Sequence, residues 1–136
     1  MTDLIVETDL GHDPDDFFTV CYLAGAGVRI RAITVVPGDR DQLAVARMLG
    51  QMLGLDIPVG ASKPDSRKYS SGGMHYELLD QFSFPREAGH DGPGDQVIAA
   101  TLQRHPACEF LVIGPCTSTA RYLARPDGQL FRFRQG

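Results

Sequence analysis

Short runs of aliphatic and β-branched residues alternate along the chain with longer stretches whose apolar positions recur every three or four residues. Leu4, Ile5 and Val6 form the first run and predict a buried strand. Asp13 and Pro14 open a helix, because a side-chain oxygen suits the N-cap and proline suits the first turn. Phe17, Phe18, Val20, Cys21, Leu23 and Ala24 continue it at helical spacing until Gly25-Ala26-Gly27 stops them. Val28 to Val36 is rich in β-branched residues and predicts the second strand, ending in Pro37-Gly38-Asp39. A second helix from about Asp41 to Leu53 carries Leu43, Ala46, Leu49 and Leu53 on one stripe, with Met48 and Met52 read as packing and Gly54 as the stop. Ile57-Pro58-Val59-Gly60 is a short third strand. The pattern then breaks down from Ala61 to Asp91, a stretch long enough to be functional or to hide an element, and Met74 to Leu79 suits a short helix. Pro93 or Gly94 opens a further helix that ends before Pro106. Glu109 to Ile113 is the fourth strand, and its unbroken Phe110-Leu111-Val112-Ile113 predicts burial on both faces.

Strands alternating with helices predict an α/β fold: an open, mostly parallel, Rossmann-like sheet of about four strands with flanking helices, ordered 3-2-1-4 by right-handed crossovers. Residues 1–124 are expected to form the domain and 125–136 a basic, aromatic tail that begins with the turn Arg125-Pro126-Asp127-Gly128. The fourth strand would lie at an open edge, and exposed apolar edges invite association. A homo-oligomer, or a partner chain that completes the sheet, is therefore expected, with Phe131 and Phe133 of the tail as the alternative cover.

Composition narrows the class. A chain of 136 residues, 43% hydrophobic and 22% charged, suits one globular domain. The net charge of −4 gives no electrostatic reason to expect nucleic acid as a partner. No apolar run approaches membrane-spanning length and no signal-peptide pattern is present, so no membrane association is expected. Cys21, Cys108 and Cys116 are odd in number and widely spaced, which predicts reduced thiols and a cytoplasmic location.

The chemistry is concentrated after the first strand, where Glu7, Asp9, Asp13, Asp15 and Asp16 place five carboxylates within ten residues. Asp13, Asp15 and Asp16 are also what an ordinary helix start favours beside its positive dipole end. That reading does not cover Glu7 and Asp9, which follow an apolar strand and need partners if buried. Two carboxylates ~4 Å apart repel by about 4 kcal/mol at an effective dielectric of 20, and a bound cation relieves the conflict. All-oxygen ligands favour a hard ion, calcium before magnesium, and argue against zinc. An EF-hand is a poor match, because no bidentate Glu closes a twelve-residue loop and the flank is a strand.

Glu7-Thr8-Asp9-Leu10-Gly11-His12-Asp13-Pro14-Asp15-Asp16 resembles the N-terminal motif of the inosine-uridine-preferring nucleoside hydrolases, and Gly114-Pro115-Cys116-Thr117-Ser118 resembles a second motif of that family. The resemblance implies a truncated nucleoside-hydrolase fold and calcium-assisted cleavage of the N-glycosidic bond of a nucleoside to ribose and base. It implies Asp9 as the catalytic base, Asp9, Asp16 and the Thr117 carbonyl as calcium ligands, and Asp15 as acceptor for a sugar hydroxyl. Asp39, in Pro37-Gly38-Asp39, stands where the family carries Asn near the sugar, and His75 stands in the region of a mobile segment over the nucleobase. Both are candidate substrate contacts. Glu7 replaces the family's first Asp, Ser118 replaces an Asn, and Asp13 is an additional carboxylate in a longer loop. The chain matches only the N-terminal half of that family, without its later sugar-binding residues and its last calcium-ligating Asp.

Two readings from other classes stay open. A degenerate metal- or ribose-binding domain, or one half of a split enzyme, would bind calcium without turnover. A phosphatase of the haloacid dehalogenase type also places Asp-x-Asp after its first strand, but Glu7 stands where its nucleophile is needed.

Overall fold

The computed structural model describes residues 1–11, 13–66, 74–86 and 88–128, the side chains of Met74 and His75 excepted. β1 (Asp3–Thr8) lies inside the sheet with a neighbour on each side. Its residues alternate between two packed layers. Leu4 and Val6 join the core formed with α1 (Pro14–Gly25), α2 (Arg40–Met52) and α3 (Met74–Gln81), whereas Ile5 joins the core under α4 (Gly94–Arg104) and α5 (Thr117–Leu123). Both faces of the strand are therefore buried, as its continuous apolar run requires.

The remaining strands are β2 (Arg29–Val35), β3 (Val59–Ala61) and β4 (Glu109–Val112). All pairings are parallel and the order is β3-β2-β1-β4, so the fold is an open Rossmann-like α/β sheet in the order expected. Glu7 stands opposite Thr34 on one side and Val112 on the other. β3 begins later than expected because Pro58 has no N–H to give the ladder, although its carbonyl accepts the N–H of Ile33 at 3.1 Å. Within the stretch that lacked a pattern, α3 buries Tyr76 and Leu79 against the first core.

Three expectations change. β4 is not buried on both faces: Glu109 and Val112 are exposed, and Phe110 and Leu111 are half-buried. Among the described residues β4 pairs only with β1, so its outer side has no strand to cover it. Phe18 is not on the core stripe of α1; it is 60% exposed, one turn before Tyr22 at 75%. Met48 is buried, but Met52, in the last turn of α2, is exposed. The tail from 129 onward, with Phe131 and Phe133, lies outside the described residues.

Among the described residues no helix is long and apolar enough to cross a membrane. All three cysteines are free, and burial pushes the thiols of Cys21 and Cys108 up from their ordinary value. That suits packing in the core for both.

Candidate functional site

The carboxyl end of β1 opens onto a pocket of about 240 Å³ lined by Asp9, Asp13, Asp15, Asp16 and Ile113. This is the edge of an open parallel sheet where ligands are generally received. Gly11 makes the turn out of the strand with φ +114°, and a Cβ there would stand 2.7 Å from the Tyr76 hydroxyl. Both backbone conformation and space thus require glycine. Asp13 occupies the N-cap of α1 in an extended conformation, yet its carboxylate makes no capping hydrogen bond and lines the pocket. Its position is the one expected of a cap and its side chain is committed elsewhere.

Asp16, only 6% exposed, accepts a short hydrogen bond from the Thr8 hydroxyl, which in turn accepts the N–H of Leu10 at 3.0 Å. Thr8 therefore ties the acidic loop to the first turn of α1. Burial pushes the Asp16 carboxyl above the ordinary carboxylate range; the Thr8 bond opposes this, and the charges of Asp9 and Asp15 add to it. The proximity of like charges that the sequence suggests is thus present for Asp9, Asp15 and Asp16.

Glu7 has a different fate. It is fully buried on the opposite face of the sheet, where its two carboxylate oxygens accept the N–H groups of Ser118 at 2.5 Å and Thr119 at 3.0 Å. These are orphan donors of the first turn of α5, beside the positive end of its dipole. Glu7 is therefore not an additional carboxylate of the pocket. The partner its burial demanded is a helix end, and the cap of α5 comes from β1, not from Thr117 or Ser118. The N-cap residue Cys116 makes no side-chain capping bond.

The second strand contributes the neighbouring loop. Gly38, at φ +90°, packs so closely that a Cβ would lie 2.5 Å from the Ala61 side chain. Asp39 caps α2 in a reciprocal capping box with Gln42, and its carboxylate accepts the Ser66 hydroxyl at 2.6 Å. Asp39 thus lies on the same rim as Asp9 but is engaged with α2 and the loop after β3. From the fourth strand, Gly114 seats against Asp9; a Cβ there would be 2.7 Å from the Asp9 nitrogen and 2.8 Å from its Oδ1. Thr117 opens α5 beyond this loop. Neither Thr117 nor Asp39 is among the described residues lining the acidic pocket. The backbone of His75 lies in α3, while its side chain, like the whole of His12, lies outside the described residues.

The donor set around the pocket is entirely oxygen and suits a hard cation such as calcium. Burial of Asp16 beside two other carboxylates supplies the electrostatic reason for one. In the conformation described, no three carboxylates, imidazoles or thiols among the described residues gather closely enough to close around a metal ion.

Sequence reasoning passed over Gln42 and Thr8, the two side chains that fasten the loops of this rim together. For Gln42 a signal existed, since Asp39-Arg40-Asp41-Gln42 has capping-box spacing. No family model matches the chain, and no curated protein matches it.

Proposed function

We propose that the chain is a nucleoside-hydrolase-like N-ribosyl hydrolase that acts on a nucleoside with calcium as cofactor. The observation that carries this reading is the convergence of Asp9, Asp13, Asp15 and Asp16 on one pocket at the carboxyl end of β1. Asp9 and Asp16 would hold the ion, and the carbonyl of Thr117, at the start of α5, is the third ligand the resemblance implies. Calcium, when bound, would hold sugar hydroxyls and make a water easier to deprotonate.

The chain's own residues supply the rest. Asp9 accepts the proton of the water as its oxygen bonds to the anomeric carbon, and the base departs with the electron pair of the C–N bond. Asp15, exposed at the mouth, accepts a sugar hydroxyl. The carboxylates left over stabilise the positive charge that develops on the ribosyl ring. The free cysteines favour a reducing compartment such as the cytoplasm.

The test is ribose release from a mixed set of purine and pyrimidine nucleosides, with and without calcium, beside Asp9→Asn. Calcium-dependent release that disappears in the variant supports the hydrolase; absence of release in the unmodified chain overturns it. The outer side of β4, which no strand among the described residues pairs with, favours a second reading, a calcium- or ribose-binding domain completed by another chain. That reading expects calcium to raise the melting temperature without any ribose release.

A further inference from the structure

Gln42 is fully buried, and its side chain does more than a helix cap requires. Oε1 accepts the N–H groups of Gly38 at 3.1 Å and Asp39 at 3.0 Å. Nε2 donates to the carbonyl of Val36 at 3.2 Å and to that of Asp9 at 3.4 Å. The two N–H donors fix which end of the amide faces which loop, so the NH₂ group must face the two carbonyls. Only a primary amide accepts at one end and donates twice at the other. A glutamate, equally at home at this position of a capping box, would serve Gly38 and Asp39 as well. It would also turn a carboxylate oxygen against the carbonyls of Val36 and Asp9.

Asp9 is fastened at other points too. Gly114 packs on its nitrogen and carboxylate, and the N–H of the next residue, Leu10, is held by Thr8. Gln42 differs from these because it joins the loop after β1 to the loop after β2 through one side chain. Resting on the reading of Asp9 as general base, we propose that Gln42 is a positioning residue for Asp9, setting where its carboxylate stands over the sheet through its main-chain carbonyl. Misplacing a reacting group by ~1 Å can cost about 10²-fold in rate, so a clamp on that carbonyl would act directly on turnover.

Gln42→Glu tests this, because it keeps the cap and removes the clamp. Thr101→Val is the control: Thr101 is buried in α4, donates to the Val97 carbonyl at 2.8 Å, and packs in the other layer. Amide hydrogen exchange at Leu10 and Gly11 is expected to be about tenfold faster in Gln42→Glu than in Thr101→Val, with Gly38 and Asp39 still protected. Equal exchange at Leu10 and Gly11 in the two variants overturns the proposal. In the hydrolysis assay kcat is expected to fall by about tenfold or more in Gln42→Glu, with KM changed by less than about twofold. An unchanged kcat also overturns it. If the unmodified chain neither binds calcium nor releases ribose, the hydrolase reading fails alone, and the exchange comparison still decides whether Gln42 holds the Asp9 loop. Should Gln42→Glu not fold, Gln42→Met, similar in volume and without either polar end, takes its place; faster exchange at both loops supports the clamp and protection at Leu10 and Gly11 overturns it.

Discussion

Glu7 and Ser118, 111 positions apart in the sequence, are joined by a 2.5 Å hydrogen bond from the Ser118 N–H to a carboxylate oxygen of the buried Glu7. With the Thr119 N–H on its second oxygen, the side chain fastens β1 to the start of α5. Glu7→Gln keeps the shape but offers one acceptor and one donor, so one buried N–H is left facing an N–H. The expected loss is about 1–3 kcal/mol of folding stability. Urea denaturation checks it: the midpoint should fall with the slope unchanged. An unaltered midpoint would mean that α5 is capped in some other way.

Asp16 makes the metal-free chain sensitive to mild acid in an unusual direction. Its folded-state carboxyl titrates above the ordinary Asp value, so its contribution to stability is fully present below the ordinary value and is lost as pH rises through the raised one. Asp3 is pulled the other way: burial would raise it, but bonds and charges from Arg31 and Arg29 lower it. Arg86 lowers Asp80 and Arg125 lowers Asp127, so what these three contribute is lost only at lower pH, as each folded value is crossed. Melting temperature without calcium should therefore rise as pH drops from neutral through the window just above the ordinary Asp value, then fall in stronger acid. Asp16→Asn should abolish the rise and melt a few degrees higher than the unmodified chain at neutral pH.

Calcium should reverse that penalty if it occupies the acidic pocket. At a free concentration 100 times its dissociation constant, an ion that binds only the folded chain adds about 2.7 kcal/mol of stability. The rise in melting temperature with calcium should vanish on chelation and in both Asp9→Asn and Asp16→Asn. Equal calcium shifts in all three proteins would place the ion elsewhere.

Gly114→Ala probes the contact between the β4 loop and Asp9. The new methyl would meet the Asp9 nitrogen at 2.7 Å and its Oδ1 at 2.8 Å, and the first of these is backbone that cannot swing aside. Overpacking of this kind costs about 1–3 kcal/mol and should displace the Asp9 carboxylate. Calorimetry should record the destabilisation, and ribose release should fall further than stability alone explains.

The outer side of β4 provides a test of association. Val112, 37% exposed, sits in a strand that among the described residues has a partner on one side only. Sedimentation should show concentration-dependent self-association at micromolar levels, and Val112→Lys, a charge on the open edge, should weaken it while leaving the fold intact. A strictly monomeric profile for the unmodified chain would count against a second copy at this edge.

The sheet was legible because its information is local. Leu4 to Val6 and Ile30 to Val36 declare buried strands by composition, and the residues between them declare helices by spacing, so right-handed crossovers leave few orders to choose from. What escaped was whatever depends on a neighbour remote in sequence. The edge position of Phe110 to Ile113 followed from the strand order, but the run itself reads as buried on both faces, and the exposure of Glu109 and Val112 depends on what packs over them. Glu7 reads as one more acid in a cluster; strand alternation turns it to the face opposite the Thr8–Asp16 bond, toward a helix end more than a hundred residues away. Asp13, Asp15 and Asp16 were visible as a group, and their shared pocket with Asp9 follows from one tight turn at Gly11.

Four carboxylates around about 240 Å³ also sort ligands by charge before any of them makes contact. Until a cation is seated, the mouth draws in positive ions and turns phosphates away. A nucleoside and its 5′-monophosphate differ by roughly −1.5 to −2 charges at neutral pH, and at physiological salt that difference is felt within about 8 Å of the rim. If the pocket takes a nucleoside, as proposed, discrimination against the phosphorylated form would need no residue that touches the phosphate. It would be a property of the field and would fade as ionic strength rises.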